Sequence, residues 1–278
     1  MGLLLCMVSA AQGNLCLVAP ETPVTGGSRN EASQSLNIVF VGDSITFGYL
    51  LKNPENEAPP AHAVKILQAM PGISSVCFAN CGKNGFRTDQ FLPDTPGSAW
   101  PHVRLAADSF TNRQGRLLFS IMLGANDAGV ATPALYGSNL TALASALLAN
   151  YPDSCMVIHH PLWSSKVPSS HPEVLCQYIP VINALVETFG QSHPGRIHLG
   201  DVKGWDFFEA NHEKICFKET RDGLPYYIHP NAEGAAHLGQ YWAQAIYHTV
   251  MGNVFSFRAL RPAAFPVASN MPIVCFSY

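Results

Sequence analysis

Short apolar runs alternate along this sequence with longer segments of helical length. The runs are rich in branched residues and short enough for strands buried on both faces: Leu36–Val41, Ile73–Ala79, Leu117–Leu123, Cys155–His159 and Arg196–Leu199. The other segments have the length of helices: Pro60–Met70, Trp100–Phe110, Ser138–Asn150, Pro172–Phe189 and Ala232–Met251. Ser138 and Asn231 are the expected N-caps of the third and last of these helices. The alternation predicts βαβ units, and hence a five-stranded parallel sheet with helices on both faces.

One domain over residues 35–251 accounts for this pattern. Residues 1–13 read MGLLLCMVSAAQG, an apolar stretch ending in small residues, which is typical of a secretory signal even though no Lys or Arg precedes it. Residues 14–34 are expected to be a linker, and residues 252–278 a tail without an assigned function. The sequence therefore predicts a secreted or periplasmic protein, and a cytoplasmic one if residues 1–13 are an ordinary N-terminal segment.

Charge and cysteine spacing exclude several classes of function. The chain has 16 Lys and Arg against 19 Asp and Glu, so it carries no basic field for nucleic acid. No apolar run approaches the roughly 20 residues of a membrane span. The eight cysteines include no C-x-x-C pair, and neither G-x-G-x-x-G nor a Walker A sequence occurs, so we expect no metal and no cofactor. The oligomeric state cannot be read from the sequence.

Polar and glycine-rich clusters follow the predicted strands. They are GDSI at 42–45, NCGKNGFRT at 80–88 and GAND at 124–127, with HPN at 229–231 before the last helix. Ligands of an open parallel sheet bind outside the carboxyl ends of its strands, where these clusters are expected to meet. Together they offer a hydroxyl, a flexible backbone N–H, a side-chain amide and an imidazole. Acyl transfer needs this set: a nucleophile, a base and donors for an oxyanion.

These four blocks, in this order, resemble those of the SGNH (GDSL-type) esterase family over Gly42–Asn231. The resemblance implies a flavodoxin-like three-layer α/β/α sandwich. It also implies that Ser44 is the nucleophile and His229 its base. The oxyanion donors would be the N–H groups of Ser44 and Gly85 and the side chain of Asn126.

Each of these residues also has a structural interpretation. Ser44 is a common type of helix cap, Gly85 suits a turn with positive φ, and Asn126 suits an ordinary turn. The four blocks in order favour the catalytic interpretation. Asp43 and Asp127 are expected to be structural, accepting hydrogen bonds from loop N–H groups. The segment HHPLW at 159–163 follows the fourth strand and is a candidate lining of the pocket.

The sequence departs from the family at the third catalytic residue. The family usually has an aspartate three residues before the histidine, and Tyr226 occupies that position here. Asp222, seven residues before His229, is the closest carboxylate, and Glu219 lies three residues further back. We predict Asp222 as the acid, because Gly223 and Pro225 allow its loop to fold back. The alternatives are a backbone carbonyl, a Ser–His dyad without an acid, or a carboxylate after the fifth strand: Asp201, Asp206 or Glu209.

The sequence thus predicts a serine esterase that acts on small acyl esters, most plausibly acetyl esters on a carbohydrate. The expected partner is a small-molecule or carbohydrate ester. A lipase, lysophospholipase or thioesterase with a preference for longer acyl chains is the first alternative. The second is a catalytically inactive SGNH-fold binding module, which Tyr226 at the usual aspartate position makes conceivable.

Overall fold

The computed structural model describes residues 15–18, 33–165 and 171–252. Its main sheet has the order β1-β3-β2-β4-β5-β6. The strands are β1 (Leu15–Val18), β2 (Gln34–Gly42), β3 (Ile73–Gly82), β4 (Arg116–Met122), β5 (Cys155–Ile158) and β6 (Ile197–Leu199). Strands β2 to β6 pair in parallel, and β1 adds to β3 in antiparallel orientation. The predicted five-stranded parallel sheet is confirmed, and β1 lies within the segment predicted as a linker.

The helices of the described residues cover both faces of this sheet. They are α1 (Ser44–Phe47), α2 (Pro54–Glu57), α3 (Pro59–Gln68), α4 (Trp100–Asp108), α5 (Pro133–Asn150), α6 (Pro172–Leu175), α7 (Tyr178–Ser192), α8 (Gly204–Ile215) and α9 (Ala232–Met251). A short 3₁₀ helix spans Thr88–Phe91. No helix within the described ranges is both long enough and apolar enough to cross a membrane.

Alternate residues of the central strand face opposite layers of the core. Leu36, Ile38 and Phe40 of β2 pack in one cluster with α3, α8 and α9. Val39 and Val41 pack in the other cluster with α4, α5 and α7. Because successive strand side chains point to opposite faces, β2 is apolar on both sides and buried between two helical layers. This is the three-layer α/β/α sandwich that the sequence analysis predicts.

Local backbone chemistry explains where two helices differ from the prediction. Helix α5 begins at Pro133 after the cap Thr132, whose hydroxyl accepts from the Leu135 N–H at 3.2 Å, so the predicted cap Ser138 lies inside the helix. Proline suits the first turn of a helix because N–H groups there have no acceptor within the helix, so the lack of an N–H in proline costs no hydrogen bond. The predicted Pro172–Phe189 helix is two helices, α6 and α7, and Pro180 lies in the first turn of α7. The cap at Asn231 is confirmed, since its side chain accepts from two N–H groups of α9.

A two-stranded antiparallel hairpin, β7 (Glu219–Arg221) and β8 (Leu224–Tyr226), precedes the last block. Its turn is Asp222-Gly223, and both residues have positive φ, 52° and 78°. Asp-Gly is a favoured pair for such two-residue turns, because both central positions require the left-handed region. The turn length sets the register, so Glu219 lies directly opposite Tyr226.

Candidate active site

Ser44 begins helix α1 at the point where β2 ends. Asp43 caps this helix: its carboxylate accepts from the Ile45 N–H at 2.9 Å. Gly42 allows the helix to start this close to the strand, because a Cβ there would lie 2.0 Å from Oγ1 of Thr46. The strand and the helix thereby hold the Ser44 hydroxyl at the carboxyl edge of the sheet.

The second block lies against the nucleophile helix. The Asn80 side chain donates to the Thr46 carbonyl at 2.9 Å and accepts from the Gly82 N–H at 3.0 Å, which joins the end of β3 to α1. A Cβ at Gly82 would lie 2.3 Å from the backbone nitrogen of Phe47, so only glycine permits this approach. No pattern in the sequence singles out Asn80. Its side chain holds the second block against the first.

The expected oxyanion donors come from two further loops. Gly85 has φ of 75° and is exposed, and among the described residues no acceptor takes its N–H. Asn126 donates from Nδ2 to the Phe86 carbonyl at 3.1 Å, which uses one of the two N–H groups of its amide. The second N–H of Asn126 is therefore left for a ligand. The hydrogen bond to Phe86 links the GAND loop to the block that carries Gly85.

Two buried carboxylates brace these loops, as expected from the sequence. Asp127 accepts from the N–H of Thr88 at 3.1 and 3.2 Å and from its hydroxyl at 3.1 Å. Burial raises the pKa of Asp43 to about 6, although the Ile45 N–H and the nearby His229 both lower it. Burial likewise raises the pKa of Asp127 to about 6, although the hydrogen bonds from Thr88 lower it. Asp43 thus holds the first turn of α1, and Asp127 holds Thr88 at the start of the 3₁₀ helix.

His229 faces Ser44 across the site, although 185 positions separate them in the chain. The Ser44 Oγ lies 2.9 Å from Nε2 of the imidazole. The backbone carbonyl of His229 accepts from the Phe217 N–H, and Pro230 forms a bridge with Cys216. The chain on both sides of His229 is therefore anchored to the segment that follows α8.

The carboxylate next to the imidazole is Glu219, and the prediction of Asp222 is corrected on this point. Oε1 of Glu219 lies 2.7 Å from Nδ1 of His229, and the side chains of the two residues are only 13% and 12% exposed. Asp222 lies at the exposed tip of the β7–β8 hairpin, because it forms the tight turn. Asp201, another candidate, accepts instead from the N–H groups of Lys203 and Gly204 at the start of α8.

The environment of Glu219 favours its ionised form. Burial alone would raise the pKa of this carboxyl, but the hydrogen bond and charge of His229 and a hydrogen bond from Tyr226 outweigh it, so the net pKa is lowered. The carboxylate facing Nδ1 can only accept a hydrogen bond, so Nδ1 carries the ring proton and Nε2 is the unprotonated nitrogen that faces Ser44. The imidazole is thereby oriented as a base for the hydroxyl.

Two features around the site differ from the sequence analysis. His159, a predicted pocket residue, is 1% exposed and hydrogen-bonds Ser120 inside the sheet, 2.8 Å away. Trp163 packs against the ring of His212. Tyr49, which sequence analysis did not single out, places its ring 4.8 Å from that of His229 and is 40% exposed. A partly exposed aromatic side chain therefore borders the imidazole.

The signal for Glu219 was present in the sequence. Asp222-Gly223 between ETR and LPY is the pattern of a two-residue hairpin, and that register pairs position 219 with position 226. Tyr226 stands three residues before His229, which is the position from which the family's aspartate usually reaches the imidazole. A residue paired with Tyr226 on the neighbouring strand is therefore expected close to the imidazole as well.

Comparison with known proteins agrees with this geometry. The sequence profile of the GDSL-like lipase/acylhydrolase family matches residues 40–237. No curated protein matches the chain significantly.

Several solved structures share the fold. A family two carbohydrate esterase from Clostridium thermocellum, solved with cellohexaose, has a TM-score of 0.53 and 15% identity over 84% of this chain and 67% of its own. An acetyl-xylooligosaccharide esterase from Geobacillus stearmophilus has a TM-score of 0.52 and 16% identity over 83% of this chain and 100% of its own. A member of the lipolytic G-D-S-L family from Veillonella parvula has a TM-score of 0.51 and 19% identity over 77% of this chain and 98% of its own. With the profile match over more than half of its length, this chain belongs to the GDSL-like lipase/acylhydrolase family and is a carboxylic ester hydrolase.

Proposed function

We propose that this protein hydrolyses small acyl esters, specifically acetyl esters on a carbohydrate, through an acyl-enzyme on Ser44. The observation that carries the proposal is the continuous chain of hydrogen bonds from Ser44 Oγ through the His229 imidazole to Glu219. A serine hydroxyl is a weak nucleophile until a base removes its proton, and this chain supplies an oriented base.

The proposed reaction begins when Nε2 of His229 takes the hydroxyl proton and Ser44 Oγ attacks the ester carbonyl. The N–H groups of Ser44 and Gly85 and the amide of Asn126 then donate to the oxyanion, since they come from the loops around the nucleophile. The imidazolium returns its proton to the leaving alcohol. Water, deprotonated by the same imidazole, then releases the acid from Ser44. Glu219 stays ionised throughout and stabilises the imidazolium.

The carbohydrate part of the proposal is supported by two observations. The fold neighbours include proteins described as a carbohydrate esterase and as an acetyl-xylooligosaccharide esterase. In addition, the ring of Tyr49 borders the imidazole, the group that would protonate the leaving alcohol. An exposed aromatic ring offers a flat apolar face on which a sugar ring can pack. An exported enzyme fits such a substrate, and the disulfide bond at Cys77 is typical of an oxidising compartment.

A preference for longer acyl chains is the second candidate, because apolar side chains are exposed near the nucleophile. Phe47 at the end of α1 is 39% exposed, and Leu50 in the turn that follows is 42% exposed; Tyr49 lies between them in the sequence. Leu50 also has a positive φ of 71°, which a branched side chain rarely adopts. An apolar surface of this kind suits an alkyl chain as well as a sugar ring.

The deciding experiment measures hydrolysis of p-nitrophenyl esters from acetyl to palmitoyl, together with acetyl release from acetylated xylan. We expect the fastest turnover on acetyl esters, a steep fall by octanoyl and release of acetate from the polysaccharide. A preference for palmitoyl over acetyl would support the lipase alternative. If the protein shows no turnover and Ser44 is not labelled by a fluorophosphonate, it is an inactive binding module. The Ser44→Ala variant, prepared identically, controls for contaminating esterases.

A further inference from the structure

We propose that Tyr226, at the position where the family usually has its aspartate, positions Glu219 for catalysis by donating a hydrogen bond to it. This inference rests on the function proposed above. The phenol of Tyr226 donates to Oε2 of Glu219 at 3.0 Å, and Oε1 of the same carboxylate accepts from His229 at 2.7 Å. Both carboxylate oxygens are therefore held, one by the base and one by the tyrosine.

The backbone of the hairpin brings these two side chains together. Glu219 and Tyr226 are directly opposite each other in the β7–β8 register. Side chains of opposed residues lie on the same face of an antiparallel pair, a few ångströms apart. The two-residue Asp-Gly turn sets this register, and the register places the two side chains within hydrogen-bonding distance.

Glu219 needs such a restraint more than an aspartate at the usual position would. Its side chain has one more rotatable bond than aspartate, and it extends from a hairpin with only three residues in each strand. Isolated two-stranded hairpins are only marginally stable, and a long side chain loses considerable rotamer freedom when it is held. A second hydrogen bond on the far oxygen selects the orientation that points Oε1 at the imidazole.

The phenol is a suitable donor because it keeps its proton. Burial and the hydrogen bond to the Glu219 carboxylate raise the pKa of Tyr226 above its ordinary value, although Arg221 acts in the opposite direction. Tyr49 is a further titratable neighbour of the phenol and also raises its pKa slightly. Tyr226 therefore donates over the whole range in which an esterase works, and it does not compete for the imidazole proton.

Other titratable groups face the Glu219–His229 pair from the surrounding elements. The charge of Glu219 contributes to the raised pKa of the Cys216 thiol, to about 12, which is mainly due to burial. The buried Asp43 carboxyl faces the imidazole from the end of β2, and His229 lowers its pKa. The Tyr226 hydroxyl hydrogen-bonds to Glu219, so its removal should act on the Glu219–His229 pair itself.

The test is the Tyr226→Phe variant, compared with Tyr227→Phe, which makes the same chemical change one residue away. The ring of Tyr227 packs against His212 rather than against the catalytic groups. For Tyr226→Phe we expect kcat to fall about 3- to 10-fold with KM within about twofold, because the lost bond is to a charged group that does not contact substrate.

The pH profile separates a positioning role from a structural one. Loss of the Tyr226 hydroxyl frees Glu219 to leave the orientation in which Oε1 faces Nδ1, so the imidazolium is stabilised less. The acid limb of kcat/KM should then move to lower pH by about 0.5 unit or more. Tyr227→Phe should leave this limb unchanged. The thermal midpoint, measured for both variants, shows whether each one folds normally.

Two results would overturn the proposal. One is a Tyr226→Phe enzyme with wild-type kcat and an unmoved acid limb. The other is an equal loss of kcat in the Tyr226→Phe and Tyr227→Phe variants without a shift in the limb, which would indicate a general effect on the fold. Failure of the proposed esterase function gives a different result: the wild type would hydrolyse no ester, or Ser44→Ala would keep the wild-type activity.

Discussion

Ser44 and His229 lie 2.9 Å apart at the carboxyl edge of the sheet, and Ser120 and His159 lie 2.8 Å apart in its interior. The two pairs contain the same atoms at nearly the same distance. They differ in what faces the other ring nitrogen. Nδ1 of His229 faces the carboxylate of Glu219. Nδ1 of His159 accepts the backbone N–H of Asp201 at 2.9 Å.

This difference sets opposite tautomers in the two histidines. A carboxylate only accepts, so the proton of His229 is on Nδ1, and Nε2 is free to take the proton of Ser44. A backbone N–H only donates, so the proton of His159 is on Nε2 and is donated to Ser120. Ser120 is therefore an acceptor in its pair, and His159 cannot activate it. A serine beside a histidine is a nucleophile only when the far ring nitrogen has an acceptor.

Solvent and charge reinforce the contrast. His159 stacks on the ring of Trp242 with centroids 5.0 Å apart, and burial lowers its pKa to about 3. It stays neutral through the physiological range and cannot form the imidazolium that acyl transfer requires. His229 has a carboxylate that stabilises its imidazolium. The interior pair is thus a structural link between β4 and the end of β5, and the edge pair has the geometry of the proposed nucleophile and its base.

Replacing each serine gives the largest expected contrast. Ser44→Ala should lower kcat by at least about 10⁴-fold, since the acyl-enzyme can no longer form. Ser120→Ala should keep near wild-type kcat per folded molecule but lose about 1–3 kcal/mol of stability, because a buried N–H loses its acceptor. Ester hydrolysis and urea unfolding measure the two effects. A large loss of kcat in Ser120→Ala with a normal fold would contradict the distinction between the pairs.

The Glu219→Gln variant should convert the edge pair into an analogue of the interior pair. The introduced amide can donate to Nδ1, which places the imidazole proton on Nε2 as in His159. We expect kcat to fall by about 10³–10⁴, as when the acid of a triad becomes its amide.

Asp222→Asn is the matched control for that variant. It makes the same carboxylate-to-amide change in the hairpin turn, and asparagine tolerates the positive φ of that position. Its kcat should stay at the wild-type level. A reversal, with Asp222→Asn inactive and Glu219→Gln active, would restore the original prediction from sequence.

The next variant tests Asn126 as a donor to the oxyanion at the edge site. Asn126→Ala should lower kcat by about 10²–10³ and change KM little, because the donor acts mainly on charge that develops in the transition state. Asn183→Ala, on helix α7 where the side chain accepts from His160, is the control. Unchanged kcat in Asn126→Ala would remove the side-chain amide from the proposed set of donors.

The smallest effect concerns the pH dependence of stability. The folded-state pKa of His159, about 3, lies below its unfolded value near 6.5. The unfolded chain therefore binds a proton that the folded chain does not, and the free energy of unfolding falls as the pH is lowered through this window. His159→Gln should remove a slope of about 1.4 kcal/mol per pH unit between about pH 4 and pH 6.

Titration of Asp43 and Asp127 changes the free energy of unfolding in the opposite direction over the same pH range. Their folded-state pKa values of about 6 exceed the unfolded ones, so they favour the folded state as the pH falls. Both carboxyls are present in wild type and in His159→Gln, so the difference between the two slopes isolates His159. Parallel pH profiles of the two proteins, from urea unfolding, would show that His159 does not titrate in this way.

Local patterns in the sequence were sufficient to predict the fold and to place the four blocks at one edge of the sheet. The alternation of apolar runs with helical segments predicts the parallel sheet, since both periods follow from backbone geometry. The blocks at Ser44, Gly85, Asn126 and His229 follow strands or precede a helix, so their place at one edge follows from a parallel sheet. The pairing of position 219 with Tyr226 was also local, because an Asp-Gly turn sets its own register.

The tertiary structure alone decided which histidine has the hydrogen-bond partners that a base requires. The HHPLW segment and the HPN block both offer a histidine near a strand end, and nothing local shows that His159 points inward to Ser120 whereas His229 faces Ser44. The partners of the two imidazoles come from distant parts of the chain and are brought together only when the elements pack. The choice between a carboxylate and a backbone N–H at Nδ1, and with it the direction of proton transfer, is therefore a property of the packed molecule.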